Sequence, residues 1–273
     1  MKLLSFQVAG SGEKLGALVD DKIFALPGTM VQFFALDASA KQAAIAGAEV
    51  AYDLNAVTFL PPITNPSKIV CVGLNYATHI KEMGRELPKF PVLFAKFANT
   101  LVGHEGIIPY PTVSETLDYE GELAFIIGRT AKNVKRADAF AYIAGYTCFN
   151  DVSVREYQQR TVQFLQGKAF DGTGPCGPVV VTTDEIANPA ELHLTTRLNG
   201  QTVQHSALDD LVFDVPTLVE VVSEVMTLNP GDLIVTGTPG GVGTARKPPL
   251  YMKPGDVVEV EISNIGILRN RVA

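Results

Sequence analysis

The chain has 273 residues, 47% of them hydrophobic and 19% charged, and its 22 basic against 29 acidic side chains give a net charge of −7. Such a length and apolar content suffice for a large core with a small appendage, and no window is polar enough to read as disordered. The acidic balance, with no Lys/Arg cluster interleaved with aromatics, excludes a nucleic-acid surface, and no run approaches the ~18 apolar residues of a membrane span.

The opening MKLLSFQVAGSGEKLG lacks the length and cleavage pattern of a signal peptide, so a cytoplasmic protein is expected. Short β-like runs follow at Lys2 to Ala9, Leu15 to Val19 and Lys22 to Ala25, then an Ala-rich stretch from Leu36 to Ala48 that favours helix. Pro61-Pro62 and Asn65-Pro66 mark a boundary, because proline removes a donor and restricts the residue before it. Residues 1–64 are therefore read as a small β-rich N-terminal domain and 65–273 as the larger main domain. In the latter, strands are expected at Lys68 to Val72, Gly121 to Ile127, Ala141 to Asn150, Pro178 to Val181, Leu192 to Leu198, Leu233 to Thr236 and Val257 to Ile262. Turns such as Asn199-Gly200 and Pro254-Gly255-Asp256 separate them, and Pro216 to Met226 is the one longer helix. Strands without regular helical alternation argue for a β-dominated α+β fold rather than a doubly wound sheet. Cys71, Cys148 and Cys176 are odd in number and scattered, which fits buried thiols in a reducing compartment better than disulfides or a zinc site.

Two carboxylates stand one residue apart in Glu120-Gly121-Glu122, at the head of the apolar run Leu123 to Ile127. In a strand, i and i+2 share a face, so both point the same way and repel unless a cation or proton intervenes. A second apolar strand ends in Asp151, where a third acid could converge; the set, without paired His or Cys, would be a hard oxygen site suited to Mg2+ or Mn2+. The pattern alone also allows a solvated strand end. Likewise Lys168 alone reads as a surface charge, and His79 and Glu82, one helical turn apart, as an exposed pair.

Several blocks together resemble the fumarylacetoacetate hydrolase superfamily: KIVCVGLNYATHIKE, PVLFAK, LDYEGELAFIIG, GYTCFNDVSVREYQ, GKAFDGTGPCGP and PGDLIVTGTPGGVG, spread from about Lys68 to the C-terminus. The resemblance implies a mixed β-roll core with a variable N-terminal appendage, a homodimer, and Mg2+ or Mn2+ on Glu120, Glu122 and Asp151. It implies that Lys168 stabilises an enolate, and that His79 and Glu82 lie on a lid and activate water, with Met83 to Pro91 as its moving part. Gln158, Thr238, Gly237 and Tyr76 would contact substrate, with Gly240 also lining the pocket, and Arg155 would brace the loop of Asp151. Leu74 stands where some acylpyruvase relatives carry Arg. His104, His193 and His205 match nothing catalytic.

The activity so implied is hydrolysis of a carbon–carbon bond in an acylpyruvate-type 2-oxo acid, such as fumarylpyruvate or maleylpyruvate of aromatic catabolism. Oxaloacetate decarboxylation, and isomerisation or hydration of 2-hydroxymuconate or 2-hydroxyhepta-2,4-diene-1,7-dioate types, use the same metal–enolate chemistry. A non-catalytic metabolite-binding protein is the remaining alternative. The presence of both His79 and Glu82 tilts the balance to hydrolysis, since decarboxylation needs no activated water. Other motifs fail: Gly172-Thr173-Gly174-Pro175-Cys176-Gly177 has prolines where a dinucleotide-binding helix should start, and Ile108 breaks a zinc-protease pattern after His104-Glu105.

Overall fold

The computed structural model describes every residue except Met83 and Arg85, and every side chain beyond these except those of Val50, His79 and Glu82. The first three expected strands are β1 (Lys2–Gln7), β2 (Lys14–Val19) and β3 (Lys22–Leu26), paired antiparallel in sequence order. Thr29 and Gln32 form a reciprocal capping box that starts α1 (Met30–Ala35). Asp37 caps α2 (Ala38–Ala46), which is shorter than the Leu36-to-Ala48 stretch because Leu36 leaves α1 extended and Gly47 ends α2. Strands β4 (Val50–Asp53) and β5 (Thr58–Phe59) complete this segment.

Next come β6 (Ile69–Gly73), α3 (Ala77–Glu82), β7 (Val92–Lys96) and the short β8 (Leu101–Val102), β9 (Ile107–Ile108) and β10 (Leu117–Asp118). The carboxylate-headed run is β11 (Gly121–Ile127). Then follow β12 (Ile143–Asn150), β13 (Ser153–Val154), α4 (Arg155–Gln158), α5 (Leu165–Lys168) and β14 (Gly174–Thr182). The chain ends with β15 (His193–Leu198), β16 (Gln201–Ala207), α6 (Val215–Val225), β17 (Leu233–Val235), β18 (Val257–Ile262) and β19 (Gly266–Val272).

The result is β-dominated α+β, as expected. A twelve-stranded sheet runs β4-β3-β2-β1-β14-β12-β11-β17-β6-β7, with β5 on β1 and β8 on β14. A five-stranded sheet runs β16-β15-β18-β19-β9, and β10 pairs with β13. The sheets are mixed: β17 with β6, β14 with β8 and β19 with β9 are parallel. The N-terminal segment shares the large sheet with the rest, through the antiparallel pair of β1 and β14 at Lys2–Val181 and Leu3–Val180.

Strand β11 is buried on both faces, which is why its sequence is continuously apolar rather than alternating. Leu123, Phe125 and Ile127 pack in one core with Leu218, Val219 and Val222 of α6 and Val260 and Ile262 of β18. Ala124 and Ile126 face the other core, with Leu3 of β1 and Met30 and Phe33 of α1. Helix α6 is started by Asp214, whose carboxylate accepts from Thr217 N–H at 3.0 Å and Thr217 Oγ1 at 2.6 Å and pairs with Arg136. Burial pushes this carboxyl up, but the bonds from Thr217 and Arg136 outweigh it and hold it below the ordinary carboxylate range. Asp214→Ala should therefore cost about 1 kcal/mol of stability near neutral pH. Because the folded pKa is depressed, that contribution is complete above the ordinary range and is lost as pH falls through the lowered value. Melting curves of both proteins from neutral to acid pH check this; a constant gap at every pH would remove the ionised-cap account.

Candidate metal centre and cleft

The period of two along the backbone sends Glu120 and Glu122 to the same side at the head of β11, while Gly121 between them faces the other sheet. A β-carbon on Gly121 would lie 2.1 Å from Thr196 Oγ1 of β15, so close approach of the two sheets requires glycine between the acids. Asp151 follows the end of β12, the antiparallel neighbour of β11. Its N–H donates to Glu120 C=O at 2.8 Å, and Asn150 Oδ1 accepts from Glu120 N–H at 3.0 Å. Register between two strands thus places the three acids together. One carboxylate oxygen of each lies within 4.8 Å of the others, and all three side chains are buried.

Three cations surround the acids. Lys168 Nζ, from the end of α5, donates to Glu120 Oε2 and Asp151 Oδ2 at 2.6 Å each. Burial alone would lower the pKa of this amine, but Asp151 and Glu120 outweigh it and hold it above the ordinary lysine value. Two ion pairs thus hold Lys168 as the ammonium. Arg155 Nε donates to Asp118 Oδ2 at 2.7 Å, and its Nη1 donates to Glu120 Oε1 and, at 2.9 Å, to Gln158 Oε1. The expected brace is thus on Glu120 and Asp118 rather than on the loop of Asp151, because α4 turns the guanidinium back across the head of β11.

The third cation, Lys96, was not singled out from the sequence. It ends β7 buried at 1% exposure, with Nζ 2.8 Å from Asp151 Oδ1 and within 3.3 Å of Val152 C=O. The sequence places it at the end of the apolar block PVLFAK, which marks a strand end but not the direction in which the amine points. Burial pushes the Asp151 carboxyl up, and the two lysines bring it below the ordinary range. Glu122 behaves oppositely. Burial, then Asp151 and Glu120, push its carboxyl well above the ordinary range, although Gly237 N–H donates to Oε2.

The donor set fits a divalent metal. Three hard carboxylates converge, one oxygen of each within 4.8 Å of the others in a buried site. Cys71, also buried near the acids, is held neutral by burial and by Asp151 and Glu122, so no thiolate softens the site. Mg2+ or Mn2+ suits these residues.

The acids open into a cleft of about 430 Å³. Glu120, Glu122, Arg155, Gln158, Lys168 and Thr238 line its polar side; Val72, Leu74, Phe94, Val162, Phe164 and Val242 line its apolar side. Gln158 and Thr238, two of the expected substrate contacts, line this cleft. The Thr238 hydroxyl is committed, donating to Gly121 C=O at 2.9 Å and accepting from Gln204 Nε2 at 2.8 Å, so it shapes the wall more than it offers a proton. Gly237, Gly240 and Tyr76 stand outside the lining. Gly237 serves Glu122 through its N–H, and Tyr76 is fully buried, its hydroxyl without a hydrogen-bond partner among the described residues. Leu74 sits on the cleft wall with φ +54°, in the left-handed region. Helix α3 spans His79 and Glu82, but the expected contact between their side chains lies outside the described residues, as do Met83 and Arg85 of the expected lid.

A family model described as fumarylacetoacetate (FAA) hydrolase C-terminal matches residues 68–273. The oxaloacetate tautomerase Fahd2a, mitochondrial, of Rattus norvegicus is 44% identical over 265 residues, covering 94% of this chain and 84% of the relative. The Homo sapiens oxaloacetate tautomerase FAHD2A, mitochondrial, is 43% identical over 252 residues, covering 90% and 80%. Among solved structures, a fumarylacetoacetate hydrolase from Exiguobacterium antarcticum superposes with a TM-score of 0.88 at 36% identity, covering 100% of this chain and 99% of its own. A 2-hydroxyhepta-2,4-diene-1,7-dioate isomerase from Mycobacterium marinum gives 0.81 at 34%, covering 100% and 98%.

Proposed function

Since the chain belongs to the fumarylacetoacetate hydrolase family, we propose that it is a divalent-metal-dependent enzyme interconverting the enol and keto forms of oxaloacetate or a close 2-oxo diacid. The observation that carries this reading is the fixed Lys168 ammonium beside Glu120 and Asp151 at the cleft. A tautomerase must tolerate negative charge on the C2 oxygen while a proton leaves that oxygen and another arrives at C3. Glu120, Glu122 and Asp151 would hold Mg2+ or Mn2+, which when bound would supply Lewis acidity to the 2-oxo acid.

The remaining steps belong to the chain's own groups. Lys168 offers a positive charge held by its ion pairs with Glu120 and Asp151, and it stabilises the developing oxyanion electrostatically. Arg155 Nη2 is buried with no hydrogen-bond partner among the described residues, and its side chain lines the cleft; a substrate carboxylate would satisfy it. Arg155 also orients Gln158 through Oε1, which leaves the Gln158 amide N–H groups for the substrate. We assign delivery of the C3 proton to His79 of α3, with Glu82 one turn on as its proposed partner and the enol oxygen's proton passing to solvent.

Hydrolysis of an acylpyruvate on the same groups is the second reading, favoured by the apolar half of the cleft, where Leu74, Phe94 and Phe164 would accept an acyl tail. One assay separates the two: enol-oxaloacetate and a panel of acylpyruvates are mixed with enzyme and Mg2+ or Mn2+, and loss of enol absorbance and release of pyruvate are followed together. The tautomerase reading expects accelerated enol decay without pyruvate, abolished by EDTA. Pyruvate from acylpyruvates with uncatalysed enol decay would replace it by hydrolysis.

Three free, buried cysteines suit a reducing compartment, and no helix among the described residues is long and apolar enough to cross a membrane. The assembly we propose is a homodimer. Phe90 and Phe97, 78% and 51% exposed, flank β7 at the edge of the large sheet and would be covered by a second copy. Sedimentation should give twice the 29.3 kDa chain mass.

A further inference from the structure

Helix α3 is six residues long, too short to hold its shape by backbone hydrogen bonds alone, so its placement depends on what its ends are tied to. Its first turn is capped from 132 residues away: the Asp210 carboxylate accepts from Thr78 N–H at 3.1 and 3.3 Å and from Thr78 Oγ1 at 2.9 Å. The residues after Asp210 grip the approach to the helix. Leu211 bridges Tyr76, Val212 N–H donates to Asn75 C=O at 2.9 Å, and Phe213 N–H donates to Asn75 Oδ1 at 2.8 Å.

Asn75 connects this ledge to the acids. Its Nδ2 donates to Phe213 C=O at 3.0 Å and to Thr236 C=O at 2.8 Å. The next residue, Gly237, has φ +102° and packs so close to Asn75 that an added β-carbon would lie 2.9 Å from the Asn75 β-carbon. Gly237 N–H is the donor to Glu122. An unbroken run of contacts therefore leads from a carboxylate of the metal centre to the root of α3, and Asp210 closes it on the helix itself. Asp210 does not line the cleft.

We propose that Asp210 is a positioning residue: by capping Thr78 it docks α3 on the 208–213 ledge and fixes how that helix is presented during turnover. The effect on turnover rests on the function proposed above, whereas the docking does not. The test compares wild type with Asp210→Ala, Asp210→Asn and Thr78→Val by hydrogen exchange of the 77–82 backbone without substrate, Mn2+ titration, and enol-oxaloacetate turnover.

In Asp210→Ala, exchange should quicken about five- to tenfold, the population shift expected on losing a helix cap. We expect kcat to fall by a similar factor while KM and Mn2+ affinity stay within about twofold of wild type. Asp210→Asn should restore both exchange and kcat, because the amide oxygen still accepts from Thr78. Thr78→Val placed in the Asp210→Ala background should add little, since its partner is already gone; a further large loss there would count against the cap. Unchanged exchange in Asp210→Ala, faster exchange with unchanged kcat, or failure of Asp210→Asn to restore either would each overturn the proposal. If wild type turns over no 2-oxo acid, the function proposed above fails, and the exchange difference between Asp210→Ala and Asp210→Asn still decides the docking.

Discussion

Lys168→Met should lower turnover about a hundred- to thousandfold, the range for removing one oriented charge at a reacting oxyanion. The ammonium lies 2.6 Å from both Glu120 and Asp151 in a buried site, so no water can take its place at low cost. Removing one member of a buried ion pair destabilises by about 3–5 kcal/mol, because the partner charges stay behind uncompensated. A divalent cation compensates the same acids, so the melting gap between variant and wild type should be widest in EDTA and should narrow when Mn2+ is added. Binding to the folded state alone returns about 2.7 kcal/mol at 100 times the dissociation constant. Steady-state kinetics and thermal melts with and without Mn2+ check both halves. Wild-type turnover in the variant would remove the electrostatic role, and a gap that ignores metal would separate Lys168 from the metal centre.

The second large effect is expected at Glu122, whose carboxyl is pushed well above the ordinary range, by burial first and by Asp151 and Glu120 next. A carboxyl that keeps its proton must release it when metal binds, so apparent affinity should rise with pH by up to about tenfold per unit between the ordinary carboxylate range and the raised value. The stability of the metal-free protein should run the other way. The native state holds a proton there that the unfolded chain has lost, so stability falls as pH rises through that window. Glu122→Gln should weaken Mn2+ binding by about 10- to 100-fold, the range known even for groups that only support a ligand, and abolish the proton release. Calorimetric titration in buffers of different ionisation enthalpy measures both. Equal proton release in the variant would assign the released proton to another group.

How much of this centre could be read from the residues follows from how far each partner lies along the chain. Glu120, Gly121 and Glu122 were legible because a strand fixes the direction of neighbouring side chains locally, and Asp151 because it ends the next apolar strand. Lys96 was not, because whether a lysine at a strand end faces solvent or Asp151 depends on where β7 lies in the sheet. Arg155 failed for a related reason: its loop suggested Asp151, and only the turn of α4 aims it at Glu120 and Asp118. Asp210 had no local signal, since its partner Thr78 is brought to it by the fold.

Among the elements, β11 and β18 matched the expected limits, and α6 was offset by one residue at each end. The strand expected from Pro178 to Val181 runs instead over Gly174–Thr182. Its prolines read as breakers, yet Pro175 sits where β14 meets the short β8, and Pro178 falls where the register with β12 shifts. Strand β12 begins later than expected because residues 136–142 form a 3-10 helix.

The pairing of β1 with β14 makes residues 1–64 a lateral cover for the sheet that carries the acids. A chain trimmed to 65–273 would present the flank of β14 at Val180 and Val181 as an open hydrogen-bonding edge. It would also uncover the side chains now packed against Leu3, Met30 and Phe33. Such an edge recruits strands from other molecules. The family-matched region on its own is thus a candidate for templated aggregation, and adding residues 1–64 back as a separate peptide would be a direct way to suppress it.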